Sequence, residues 1–191
     1  MNSKILYQTT TSTSSTSTTS TIIGTSTSTT STIIRSAQYA RPDADVDNSG
    51  SWVFTPLWSK IGEITPSDLD LIYKYVTNGT YSTATIGLSN VVDPLVDSEH
   101  IIRFRIRRFS ATSQTLEFKI RLLQGTTQIA SYTLPVTSTL FITYSYALTA
   151  AEAASIIDYN DLRLEIAVRE VLDGTSTYVD LSWAEFEVPS P

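Results

Sequence analysis

Apolar and polar residues alternate along most of the chain beyond its first third. Ala84, Ile86 and Leu88 alternate with Thr85 and Gly87 over residues 84–88. Residues 101–109 set Ile102, Phe104 and Ile106 against Arg103, Arg105 and Arg107. Residues 115–123 set Leu116, Phe118, Ile120 and Leu122 against Glu117, Lys119 and Arg121. Gly125-Thr126 reads as a turn, followed by a strand through Ile129 to Leu134 and another over residues 139–148, TLFITYSYAL. Residues 162–169 alternate Leu162, Leu164, Ile166 and Val168 with Arg163, Glu165, Ala167 and Arg169. A last strand runs from about Tyr178 to Val188, with Val179, Leu181 and Trp183 on one face. Phe186 and Val188 fall out of that phase, which predicts a bulge near Ala184. Successive strand side chains point to opposite faces, so this period gives one buried and one wet face, the pattern of antiparallel sheets. Eight or so such strands predict two packed sheets. One helix is expected: Thr149 and Glu152 have capping-box spacing and open a short Ala-rich run to about Ile157, placed to plug one end of the sandwich. The expected fold class is all-β, a jelly-roll-like antiparallel β-sandwich with one short helix.

The beginning of the chain follows another rule. Residues 9–36 are almost entirely Thr and Ser, and the nonapeptide STSTTSTII occurs at 15–23 and again at 26–34. Ile22, Ile23, Ile33 and Ile34 are the only sizeable apolar groups there, too few for a core. Thr is nevertheless a good strand former, so the segment is expected to be held by another chain, by strand addition or by winding copies together. The division expected is an extended Ser/Thr-rich arm over 1–36 and a sandwich over 37–191. The four Ile residues are the candidate anchors, and a homotrimer is the expected assembly.

Composition supports this division. A length of 191 residues fits one domain plus an arm, and ten Tyr, six Phe and three Trp lean toward strand. There is no Cys, hence no thiol chemistry. No apolar run approaches the ~20 residues of a membrane span, so no membrane is expected. MNSKILYQTT lacks the apolar core of a secretory signal, which predicts a protein that is either intracellular or assembled inside a cell and released by lysis. Net charge is −6, which argues against nucleic acid as a partner. Residues 103–121 are +5 and the remainder is −11.

RPDADVDNSGSW (41–52), ITPSDLDLIY (64–73), LLQGTTQIASYTL (122–134), YALTAAEAASIIDYNDLRLEI (146–166) and SWAEFEVP (182–189) together resemble a β-sandwich domain that recurs in structural proteins of tailed bacteriophages. The resemblance covers residues 40–189 and leaves the arm outside. It implies an architecture and a virion setting, with other virion proteins as partners. It implies no catalytic site.

The candidate chemistry is sparse. Asp43, Asp45, Asp47, Asn48 and Gly50 resemble the start of a calcium loop, but Asn48 stands where an EF-hand needs Gly and the twelfth position is Phe54. An acidic turn before a strand at Trp52 is the expected reading, with no metal and no cofactor. Asp68 and Asp70 follow Thr65-Pro66-Ser67 and read as a polar turn bonding nearby amides rather than as paired catalytic acids. His100 is the only histidine; without G-x-S-x-G it reads as a strand-edge residue. Asn78-Gly79-Thr80 matches a glycosylation sequon and is already explained as a turn. If residues 101–109 and 115–123 form a hairpin, Arg103, Arg105, Arg107, Lys119 and Arg121 share one basic face, a candidate docking surface. The expected function is that of a virion structural protein and not an enzyme: a capsid decoration or head-fibre type protein anchored by its arm. The alternative is a tail- or neck-associated carbohydrate-binding adhesion module contacting host glycan, with Trp52, Trp58 or Tyr side chains stacking on sugar.

Overall fold

The computed structural model describes residues 36–76, 79–109, 115–171 and 177–191. Ile22, Ile23, Ile33, Ile34 and Asn78 lie outside the described residues. The strands are β1 (Ala37–Ala40), β2 (Pro42–Asp47), β3 (Ile72–Val76), β4 (Ser82–Leu88), β5 (Ile101–Arg108), β6 (Leu116–Gln124), β7 (Thr127–Val136), β8 (Ile142–Ala147), β9 (Leu162–Glu170) and β10 (Thr177–Pro189). Two short helices, α1 (Trp58–Ile61) and α2 (Ala150–Ala154), complete the order.

The strands form two antiparallel sheets. In the first, β3, β10, β5 and β8 are neighbours in that order, and β1 extends the β3 edge by pairing with the far half of β10. In the second, the order is β4, β9, β6, β7, with β2 outside β4. The eight strands from β3 to β10, four in each sheet in the orders β3-β10-β5-β8 and β4-β9-β6-β7, make a jelly roll. The all-β jelly-roll expectation therefore describes the molecule. Each period-two run keeps its apolar face inward: Phe104 of the first sheet and Phe118 of the second meet at 5.3 Å across the core. Phe104, Phe118 and Phe186 are fully buried, each removing about 1.5–3 kcal/mol worth of apolar surface from water.

Four local expectations need correction. β5 and β6 do not form a hairpin; β5 pairs with β10 and β8, β6 with β7 and β9. Tight hairpins use connections of two to five residues, and the longer link from Phe109 to Thr115 carries the chain to the other sheet. The register of β10 shifts between Leu181 and Trp183, not at Ala184. Val179 and Leu181 therefore face the core while Trp183 turns to the outer face, where its Nε1 donates to the carbonyl of Glu63 at 2.8 Å. α1 was not legible, because Asp45, a dozen residues earlier, caps it: its carboxylate accepts from the N–H groups of Leu57 and Trp58 at 2.9 and 3.0 Å. Trp52 is buried and cannot stack on a ligand. α2 carries the expected capping box, and Ala153, Ile156 and Tyr159 beside it join the core where the chain crosses from β8 to β9.

Candidate functional site

The outer face of the first sheet carries a ladder of aromatic rings. β3 is an outer strand with Tyr73 and Tyr75 at alternate positions, so both rings leave the same face. The register sets Tyr75 opposite Tyr178 and Tyr73 opposite Asp180 on β10, and Asp180 opposite Arg107 on β5. Phe109 follows β5, and its N–H donates to the carbonyl of Tyr178 at 3.0 Å. Val53 bridges to Tyr73, which brings Phe54 in from the loop before α1. Ring centroids stand 5.1 Å apart for Phe54–Tyr73, 5.6 Å for Tyr73–Tyr178, 4.8 Å for Tyr75–Tyr178 and 5.9 Å for Phe109–Tyr178. Leu71, Tyr73, Arg107, Phe109, Tyr178 and Asp180 line an open cavity of about 350 Å³.

Its polar centre is one ion pair. Nε of Arg107 donates to Oδ2 of Asp180 at 2.8 Å, and Asp180 is almost wholly buried. Burial pushes its carboxyl above the ordinary value, and Arg107 opposes that shift. The guanidinium lies 4.4 Å from the ring centre of Phe141 and 5.6 Å from that of Phe109, within cation–π range of both. The rings around it stay open: Phe109 is 61% exposed and Phe54 51%. Phe54 also has φ +76°, a left-handed conformation that costs a bulky residue of the order of 1–3 kcal/mol and clusters at functional sites.

The basic residues do not share a face. Arg103, Arg105 and Arg107 lie on the first sheet, Lys119 and Arg121 on the second, because β5 and β6 belong to different sheets. Each is also matched locally. Arg103 pairs with Glu185 and Glu187, and Arg105 makes a two-pronged contact with Asp68 at 2.6 and 2.8 Å. Arg121 pairs with Glu165 at 2.8 Å, and the Lys119 ammonium sits 4.2 Å from the ring centre of Tyr81.

The acidic candidates are used structurally. Asp45 caps α1, and Asp47 accepts from the backbone and hydroxyl of Ser49. Among the described residues no cluster of three His, Asp or Glu side chains is placed to hold a metal. Asp68 reaches across to Arg105, whose hydrogen bonds hold its carboxyl below the ordinary range, and Asp70 pairs with Lys60 at 3.0 Å; the expected local turn bonds are replaced by these contacts. His100 stands immediately before β5, at the strand's end as expected, and is buried, with Nε2 2.8 Å from the Tyr159 hydroxyl. Trp58 remains partly exposed but lies outside the groove. The groove residues Phe109 and Asp180 were not singled out from sequence; the alternation I-Y-K-Y-V over 72–76 was the available signal, since it leaves two Tyr rings on one side of a strand.

No protein-family model matches the chain, and no curated protein matches it. Among solved structures, an arabinose-bound α-L-arabinofuranosidase aligns with TM-score 0.45 and 13% identity over 66% of this chain. The chain spans 21% of that enzyme's length. A Stig cyclase from Fischerella sp. TAU aligns with TM-score 0.48 and 12% identity, covering 86% of this chain and 80% of its own. A carbohydrate-binding module in complex with β-1,4-galactotriose aligns with TM-score 0.38 and 8% identity, covering 81% of this chain and 88% of its own.

Proposed function

We propose that this chain is a non-catalytic carbohydrate-binding domain that holds a glycan in the aromatic groove of its first sheet. The observation that carries this reading is the run of rings Phe54, Tyr73, Tyr178 and Phe109 around the single Arg107–Asp180 pair. A sugar ring has an apolar C–H face and a polar rim. The aromatic faces suit the first, while the guanidinium N–H groups, the Tyr hydroxyls and the Asp180 carboxylate suit the second. An exposed apolar patch of this kind marks an interaction site. Glycoside hydrolysis commonly uses two facing carboxylates, and among the described residues Asp180 is the one carboxylate lining the groove. Carried on a virion, the setting that the sequence resemblance implies, such a domain serves as an adhesion module toward host glycan.

A glycan array probed with the full chain tests this, followed by titration calorimetry of the best binder. Tyr178→Ala and Phe109→Ala are each expected to weaken binding about tenfold, the equivalent of one aromatic contact of ~1.4 kcal/mol. Melting should change little for Phe109→Ala, whose ring is 61% exposed; Tyr178→Ala also loses contacts with three neighbouring rings, so its affinity is measured at a temperature where its own melt shows it folded. No bound glycan on the array, or affinity indifferent to both substitutions, overturns the reading.

A further inference from the structure

Charge is missing from one flank of the sandwich. Residues 122–151 contain no Asp, Glu, Lys, Arg or His, in a chain whose charged fraction is 17%. This stretch supplies β7 and β8, the last strands of the two sheets. Stacked rings of Tyr132 and Tyr146, 5.0 Å apart, join the two edges. An open edge strand exposes unpaired N–H and C=O groups, and soluble proteins guard such edges with charges, prolines or bulges. The opposite edge of the second sheet is guarded: β2 carries Asp43, Asp45 and Asp47, and its register against β4 is broken twice. β7 has Pro135 and one register shift. β8 has none of these devices. Its sequence ITYSYA pairs with β5 in unbroken register from Ile106↔Ile142 to Ile101↔Ala147, and among the described residues no strand lies on its other side. Leu140, 76% exposed, stands just before it.

We infer that β8 is an interface strand whose occupant is β8 of a second copy of this chain, paired antiparallel across a two-fold axis. Two identical antiparallel edges are self-complementary, since the donors of each meet the acceptors of the other. Electrostatics selects the same flank. Each copy has net charge −6, so copies repel in general. The 122–151 flank brings no charged side chain of its own strands to the meeting. The product is a dimer with one sheet continuous through both copies, in place of the three-fold assembly expected from the arm.

Sedimentation of the full chain over the micromolar range tests this, together with hydrogen exchange at low and high protein concentration. Ser145→Glu places a carboxylate on the exposed edge against its own copy, while within its own chain it faces Arg103 across β5. Leu140→Glu is the second variant. The wild type is expected to dimerise, both variants to dimerise at least tenfold more weakly, and the amides of residues 142–147 to gain protection as the concentration of wild-type protein rises. The last readout needs no substitution and stands even if a variant folds poorly. A wild type that stays monomeric, amides indifferent to concentration, or an assembly equally tight in both variants overturns the inference; the last outcome would direct attention to Ile22, Ile23, Ile33 and Ile34.

Discussion

His100 is the chain's one imidazole, 1% exposed, with Nδ1 2.9 Å from the Ser98 carbonyl and Nε2 2.8 Å from the Tyr159 hydroxyl. Burial disfavours its charged form and pushes its pKa below the ordinary value, although the nearby charges of Asp97 and Asp93 pull the other way. The folded protein therefore protonates at lower pH than the unfolded chain. The stability contributed by the neutral ring is full above about pH 6.5 and is lost as pH falls through the folded-state value. Because there is one histidine, its ring C–H resonance reports this directly in a proton NMR titration. The midpoint is expected below about 6.5, with the melting temperature falling over the same interval; a midpoint at or above the ordinary value would show that the two aspartates win. At this scale the sequence identified His100 as unique but gave no sign of Tyr159, its partner 59 residues away. The same holds for Arg107 and Asp180, whose pairing at a separation of 73 residues forms the polar centre of the groove.

The capping box of α2 is the element read most directly. Thr149 and Glu152 lie three residues apart, and the reciprocal bonds form as that spacing predicts: the Thr149 hydroxyl accepts from the Glu152 N–H, and the Glu152 carboxylate accepts from the Thr149 N–H at 2.8 Å. Glu152 also accepts from the Tyr146 hydroxyl at 3.0 Å, which ties the helix to β8. Thr149→Ala is expected to cost about 1 kcal/mol, read as a shift in the urea midpoint at constant slope. A neutral result would mean that packing of Ala153 and Ile156, not the cap, holds this turn. The strands were equally legible where alternation is unbroken, as in β5, β6 and β9. β10 shows the limit. Its thirteen residues alternate on both sides of a register shift, and sequence phase alone placed that shift two or three residues late. The position depends on where β10 stops pairing with β3 and on the outer cover that Trp183 meets at Glu63, both set by distant chain.

Over the whole molecule, the two sheets bury one continuous core. Ile102, Phe104 and Ile106 of the first sheet stand against Phe118, Ile120 and Leu122 of the second, all between 0 and 1% exposed. This core uses residues from Ala40 onward among those described. The chain from residue 37 to residue 191 alone is therefore expected to fold, with a cooperative melt and β-type circular dichroism. An unfolded truncation product would show that the Ser/Thr-rich arm completes the sandwich.

The sequence by itself determined the architecture class, most strand positions and the capped helix, because period-two alternation and a three-residue cap are local consequences of backbone geometry. It did not determine which strands are neighbours. Arg103, Arg105, Arg107, Lys119 and Arg121 alternate outward on two adjacent runs, and a hairpin would have gathered them on one face. The jelly roll sends those runs to opposite sheets, where Asp68, Asp180, Glu185 and Glu187 answer the three arginines of one, and Glu165 and Tyr81 the two cations of the other. Both arrangements hide the same apolar side chains, so the hydrophobic pattern cannot distinguish them. The choice rests on long-range pairing, and the same pairing brings Tyr73, Arg107 and Tyr178 together as a groove.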